Sequence, residues 1–359
     1  MTCKGSGVGK MAISHLDDAH IARQIMAIRG YCGIQNTFIE FLLLAELPII
    51  IEQANGLIPG IRREIILSHK IALPPLLEQQ RIVVAIESAF ALIEEIENSK
   101  GDLLAAVTAA KSKILSLAIS GKLVSQDPND EPASVLLEQI NTERNALVGK
   151  GKIKKSTAIP AVKTADNSHY QRLYGEVESE LPNNWELVLL GDFCIHTFSG
   201  KSPVYVKTVT QYSVIGQQAN QEYGIDLKYT KYTNDDFWTT MPDDYFLRDN
   251  DVLLNTLGTG TLGRSGIIKN LSKRILTDGH LFVYRSLNET TSKFLYYIFR
   301  ANQKNIEEMS SGTTNQRFLK LSETKQWLIP IPPLAEQKRI VAAIEAAFEQ
   351  LDEIFGVLN

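Results

Sequence analysis

The chain has 359 residues, 44% hydrophobic and 22% charged, enough apolar material for two domains with real cores. A formal net charge of −4 excludes a globally basic nucleic-acid binder, so any DNA contact must use a local surface. Cys3, Cys32 and Cys194 form no CxxC pair and no metal-ligand cluster with the six histidines, which points to a reducing, cytoplasmic setting. The most apolar run, residues 38–51, is interrupted by Glu40, Glu46 and Pro48, so no membrane span is expected.

Residues 1–75 are read as the C-terminal portion of a domain, because their pieces return later in the chain. Thr2-Cys3-Lys4-Gly5-Ser6-Gly7-Val8-Gly9-Lys10 parallels Asn255-Thr256-Leu257-Gly258-Thr259-Gly260-Thr261-Leu262-Gly263-Arg264, with one residue inserted in the second copy. Gln24-Ile25-Met26-Ala27-Ile28-Arg29 parallels His280-Leu281-Phe282-Val283-Tyr284-Arg285. Phe38-Ile39-Glu40-Phe41-Leu42-Leu43 parallels Phe294-Leu295-Tyr296-Tyr297-Ile298-Phe299, an amphipathic helix in both. Residues 181–254 have no counterpart before Met1, so the first copy is expected to be truncated.

The glycine loop at residues 5–10 invites a phosphate-binding reading. Its spacing fails, since Lys4 stands where the first Walker glycine belongs and Met11 where Ser or Thr would bind magnesium. The second copy ends in Arg264 rather than lysine. A tight strand-linked loop whose backbone approaches a neighbour closely fits better.

Residues 76–120 predict one long helix. Ile82, Ile86, Ala89, Ile93, Ile96, Leu103, Val107, Ala110, Ile114 and Leu117 follow a four-then-three step, the coiled-coil period. Pro74-Pro75 stiffens the start and Gly121 marks the stop. The helix start is written twice: Pro74-Pro75-Leu76-Leu77-Glu78-Gln79-Gln80-Arg81-Ile82-Val83 returns as Pro332-Pro333-Leu334-Ala335-Glu336-Gln337-Lys338-Arg339-Ile340-Val341. Each apolar seam needs a partner, and the other copy is the obvious one. Ile93→Asp is therefore expected to be severely destabilising.

Residues 121–180 read as a linker containing a short helix over 133–147, followed by the basic, weakly patterned stretch 149–167 with Lys150, Lys152, Lys154, Lys155 and Lys163. Residues 181–332 form the one complete domain. Strands are expected at 185–190, 212–215, 252–254 and 281–284, and a helix at 291–309. This is α+β, a small twisted sheet plus helices, without the βαβ rhythm of a doubly wound fold. Residues 333–359 start a second spacer helix.

No nucleophile–base set stands out, and the Pro-Pro motifs lack the polar and aromatic neighbours of an amino-methyltransferase signature. Fragments of a nuclease motif at Asp226 and Pro242-Asp243 occur in the wrong order. What remains are loops of small polar residues beside basic ones. Ser199 and Lys201 lie in one, and Gln217, Gln218 and Asn220 in the next. Thr256, Thr259 and Arg264 lie in a third, and Thr313, Thr314, Gln316 and Arg317 in a fourth. Gln and Asn can pair bidentately with adenine, Arg or Lys with guanine, and Ser or Thr can reach phosphate.

At this point the chain resembles the specificity subunit of type I restriction–modification enzymes. The carriers are the paired Pro-Pro-Leu-x-Glu-Gln-x-Arg-Ile-Val helix starts, Ser120-Gly121-Lys122-Leu123-Val124, and Asp127-Pro128-Asn129-Asp130-Glu131-Pro132-Ala133-Ser134. Leu181-Pro182-x-x-Trp185-Glu186 with Leu190-Gly191-Asp192, and Gly312-Thr313-x-x-Gln316-x-x-Leu319, complete them. The resemblance implies two target recognition domains in a pseudo-repeat, each reading half of a bipartite double-stranded DNA site, held apart by long antiparallel coiled-coil helices. A helix of about 45 residues spans roughly 68 Å, enough to separate two readers by one or two DNA turns.

The resemblance further implies a non-catalytic subunit without a cofactor of its own. It would dock DNA methyltransferase (modification) subunits and a restriction/translocase subunit, which carry S-adenosylmethionine and ATP. Two readings of the expected truncation stay open: a fragment of a longer reading frame, or a natural truncation that assembles with another copy of itself. The rival reading is a coiled-coil scaffold or adaptor that has lost DNA recognition.

Overall fold

The computed structural model describes residues 1–16, 18–53, 60–151, 153, 181–222, 224–258, 260–313 and 316–358. Lys152, Lys154, Lys155 and Lys163 of the basic stretch lie outside them. The chain divides into two compact units, Met1–Leu103 and Leu104–Asn359. Among the described residues no helix is long and apolar enough to cross a membrane.

The first unit holds α1 (Asn36–Glu52) and α2 (Arg63–Ser68), and α3 (Leu76–Ile119) begins in it. Its small core gathers Leu43, Ile50 and Ile61 with Val8, Ile28 and Leu47. The glycine loop is a closed turn, with Thr2 N–H donating to Lys10 O at 2.8 Å and Gly9 N–H to Thr2 O at 2.8 Å. Val8 and Lys10 amides bond within the loop as well, at 3.1 Å each, so they do not point at an anion. The corresponding bonds recur in the second unit, from Asn255 N–H to Arg264 O at 2.9 Å and Gly263 N–H to Asn255 O at 3.0 Å.

The second unit contains the last turns of α3, then α4 (Ala133–Gly149), β1 (Glu186–Leu189), α5 (Leu190–Phe193), β2 (His196–Ser199), β3 (Tyr205–Val206) and β4 (Ser213–Ile215). There follow β5 (Asn220–Gln221), β6 (Gly224–Ile225), β7 (Lys231–Thr233), α6 (Asp235–Thr239), β8 (Val252–Asn255), β9 (Ser265–Ile267), β10 (Ile275–Thr277) and β11 (Leu281–Arg285). The chain closes with α7 (Glu289–Ala301), α8 (Gln303–Glu308), β12 (Ser311–Thr313), β13 (Gln316–Phe318), α9 (Leu321–Thr324), β14 (Leu328–Ile331) and α10 (Leu334–Leu358).

Two four-stranded sheets, ordered β2-β11-β8-β9 and β10-β4-β7-β3, carry the fold. β11 is flanked on both sides, and every one of its residues is buried. The helix expected over 291–309 breaks at Asn302, whose Nδ2 donates to Ile298 O at 2.9 Å, an amide competing with helix continuation. At Leu190 the expected strand becomes α5, because Leu190 N–H turns to Trp327 O at 2.8 Å.

Leu115 and Ala118 of α3 share one core with Ile340, Ile344 and Phe348 of α10. The two helices run antiparallel, since Lys111 pairs with Asp352 while the segment beyond α3 meets the start of α10. There Glu336 is fully buried and accepts from Gln126 Nε2 at 2.6 Å and Trp185 Nε1 at 3.0 Å. Burial pushes its carboxyl above the usual range against those two hydrogen bonds. Arg339 grips both oxygens of Asp130, at 3.1 and 2.6 Å. The repeated glutamine does the same local work in both copies: Gln79 Nε2 donates to Pro74 O at 2.8 Å and Gln337 Nε2 to Pro332 O at 2.9 Å.

The seam is only partly covered, which corrects the expectation for Ile93. Ile93 is 49% exposed, Ile96 58% and Leu103 42%, whereas Val107 and Leu115 are buried. Every residue of α3 from 87 to 103 is exposed.

Candidate nucleic-acid interface

Strand pairing brings the polar loops to one edge of the second unit. β2 ends at Ser199 opposite Phe282, and β8 ends at Asn255 opposite Leu281, so both outgoing loops flank the start of β11. β10 and β4 run parallel and finish together, Thr277 beside Ile215. The two sheets join here: Asp278 N–H donates to Ile215 O at 2.9 Å, Lys201 N–H to Thr277 O at 3.1 Å and Gly200 N–H to Leu281 O at 3.1 Å. The β12-β13 hairpin is tied to the same edge by the Leu257–Phe318 bridge and by Leu319 N–H to Thr256 O at 2.9 Å. Loops far apart in sequence therefore form one surface.

Asp278 organises that surface. Its Oδ1 accepts from the His280 amide at 2.9 Å and its Oδ2 from the Tyr205 hydroxyl at 3.0 Å. Burial, with the neighbouring carboxylate, holds the Tyr205 phenol above its usual range, so it remains a donor. Two glycines make the approach possible. A Cβ at position 200 would lie 2.0 Å from Asp278 O, and one at 216 would lie 2.2 Å from Asp278 Oδ2.

The expected contact residues divide by exposure. Lys201 and Gln218 are exposed, and Ser199, Gln217, Arg264 and Arg317 are half-buried. Asn220 is fully buried, its Nδ2 donating to Asn255 Oδ1 at 2.9 Å and Arg264 O at 3.0 Å. Thr256 is 5% exposed. These two serve as internal struts, a correction to their reading as contacts, because their surface is already covered by the fold. Arg264 reaches Asn220 O at 3.4 Å, and Arg317 reaches Glu307 O at 3.2 Å. Thr259 and Thr314 lie outside the described residues, and the side chains of Thr313 and Gln316 are not described.

The residue patterns did not single out Lys207, Lys231, Tyr205 or His280, all exposed in or beside this edge. Lys231 Nζ lies 4.9 Å from the Tyr205 ring centroid and Lys201 Nζ 5.8 Å from that of Tyr245. The signal available in sequence was the lysine–tyrosine interleaving of residues 201–231.

Residues 182–354 match the model of the type I restriction modification DNA specificity domain. The chain is 29% identical over 261 residues to the EcoEI specificity subunit of Escherichia coli, covering 70% of this chain and 42% of that protein. It is 24% identical over 341 residues to the EcoAI specificity subunit of the same species, covering 81% and 55%. The chain thus spans about half the length of these curated relatives. The HsdS subunit from Thermoanaerobacter tengcongensis shares the fold at a TM-score of 0.50 and 16% identity, covering 88% of this chain and 63% of that one. A chain from a structure addressing complex assembly and conformational transition of the type I R-M system matches at 0.53 and 16%, covering 89% and 65%. The repeated helix starts, the loop-bearing sheets and these likenesses converge: residues 182–354 carry a type I restriction modification DNA specificity domain, and the chain is similar to type I specificity subunits along most of its length.

Proposed function

We propose that this chain is the DNA-reading component of a type I restriction–modification complex, with residues 181–332 forming a recognition domain for one half of a bipartite duplex site. The observation that carries the reading is the convergence of the loops leaving Ser199, Ile215, Asn255 and Thr277 on one edge. That edge offers lysines for phosphates and glutamine and arginine for base edges, the division of labour that DNA recognition needs. It also answers the acidic net charge, because Lys201, Lys207 and Lys231 supply a local basic surface.

In this reading the subunit performs no chemistry. α3 and α10 act as spacers of a pseudo-repeat and dock the modification subunits, which bring S-adenosylmethionine, while the restriction/translocase subunit brings ATP. The names of the matched relatives and the sequence resemblance support these partners. The test is selection from a random duplex library by the full chain at moderate salt. One short enriched motif is expected, bound at least about 10³-fold more tightly than random duplex. Retention of modification subunits with no enriched sequence would overturn the reading in favour of the adaptor.

A further inference from the structure

We propose that His280 reads a base edge in the DNA, and that position 280 is a specificity position whose counterpart in the first repeat is Gln24. The inference rests on the DNA-reading function proposed above. Its first ground is place. Residue 280 immediately precedes β11, which lies between β2 and β8, so its backbone lies between the ends of the strands that finish at Ser199 and Asn255.

Its second ground is rigid presentation. The His280 amide donates to Asp278 Oδ1 at 2.9 Å, and its carbonyl accepts from Thr256 N–H at 3.2 Å. The backbone is pinned on both sides while the side chain is exposed. A reader held this way loses no backbone freedom on binding, so only the two side-chain torsions remain to be ordered.

The third ground comes from the repeat. Gln24 aligns with His280, and its carbonyl accepts from Cys3 N–H at 2.7 Å, with Cys3 aligned to Thr256. Its side chain is exposed as well. The same backbone pin thus presents a polar side chain in both copies, and the two differ in chemistry. Glutamine pairs bidentately with adenine N6 and N7. An imidazole N–H donates a single bond to purine N7 or guanine O6. Two half-sites read at this position therefore select different bases.

The experiment compares the full chain with His280→Ala and His280→Gln, each selected against the same random duplex library at one salt concentration. His280→Ala should keep the remaining motif but lose preference at one base pair or an adjacent two, with affinity for the original motif falling about tenfold. His280→Gln should move that preference towards adenine. Thermal unfolding of both variants should match the parent, since the side chain is exposed. An unchanged motif and affinity would overturn the proposal, and so would uniform weakening at every position, which marks a phosphate contact. A parent chain that enriches no motif would overturn the DNA-reading function itself.

Discussion

At Gly200 and Gly216 even a methyl group would collide with Asp278, and this crowding explains why the edge is built from small residues. The same compactness separates exposed side chains from struts. Asn220 and Asn255 bond to each other beneath the surface, whereas Lys201 and Gln218 stand clear of it. Residue type alone does not reveal that difference, since a loop asparagine reads equally as a base reader or as a brace. His280 was hidden for a related reason. Within Asp278-Gly279-His280 it reads as part of a turn, and only the pairing of β11 on both sides gives it a central position.

His196 offers a test at this scale. Burial, with the Arg285 guanidinium assisting, lowers its imidazole from 6.5 to about 4, although Asp244 lies 3.3 Å away and pulls the other way. The folded value lies below the unfolded one, so below pH 6.5 the unfolded chain takes up a proton that the folded chain refuses. The resulting stability is present at neutral pH and is lost as pH falls from 6.5 through about 4. The full loss is up to roughly 3 kcal/mol. Urea unfolding of the parent and of His196→Gln at two pH values should show a smaller acid loss in the variant. Equal losses would mean that His196 titrates normally.

Among the elements, the long helix was the most legible. Its period, its proline start and its glycine stop are all local, and α3 runs from Leu76 to Ile119 as those signals require. What covers its apolar seam is not a local property, and the expectation for Ile93 failed on that point. Periodicity states which face seeks a partner, not where one stands. The short strands β2, β3, β9 and β10 escaped notice because a few residues carry too little pattern.

Two substitutions separate the covered seam from the open one. Ile344→Asp places a charge among Leu115, Ala118 and Phe348, and should cost about 3–5 kcal/mol in thermal or urea unfolding. Ile93→Asp, at a position 49% exposed, should cost less than about 1 kcal/mol. The reverse order would mean that the two stretches of helix have been assigned to the wrong environments.

At the scale of the whole molecule, a repeat in the sequence accompanies a loop-built surface. Both glycine loops close with the same backbone bonds, and both helix starts use the same glutamine-to-proline bond. The two stretches are therefore alike in these local bonds. The proposed recognition surface is the edge of the second unit where the two sheets join. Amide hydrogen exchange of the full chain with and without its enriched duplex tests that assignment most directly. Slowed exchange is expected in residues 199–207, 216–218 and 278–280, with α4 unchanged. Protection falling on α4 while those loops exchange as before would contradict it.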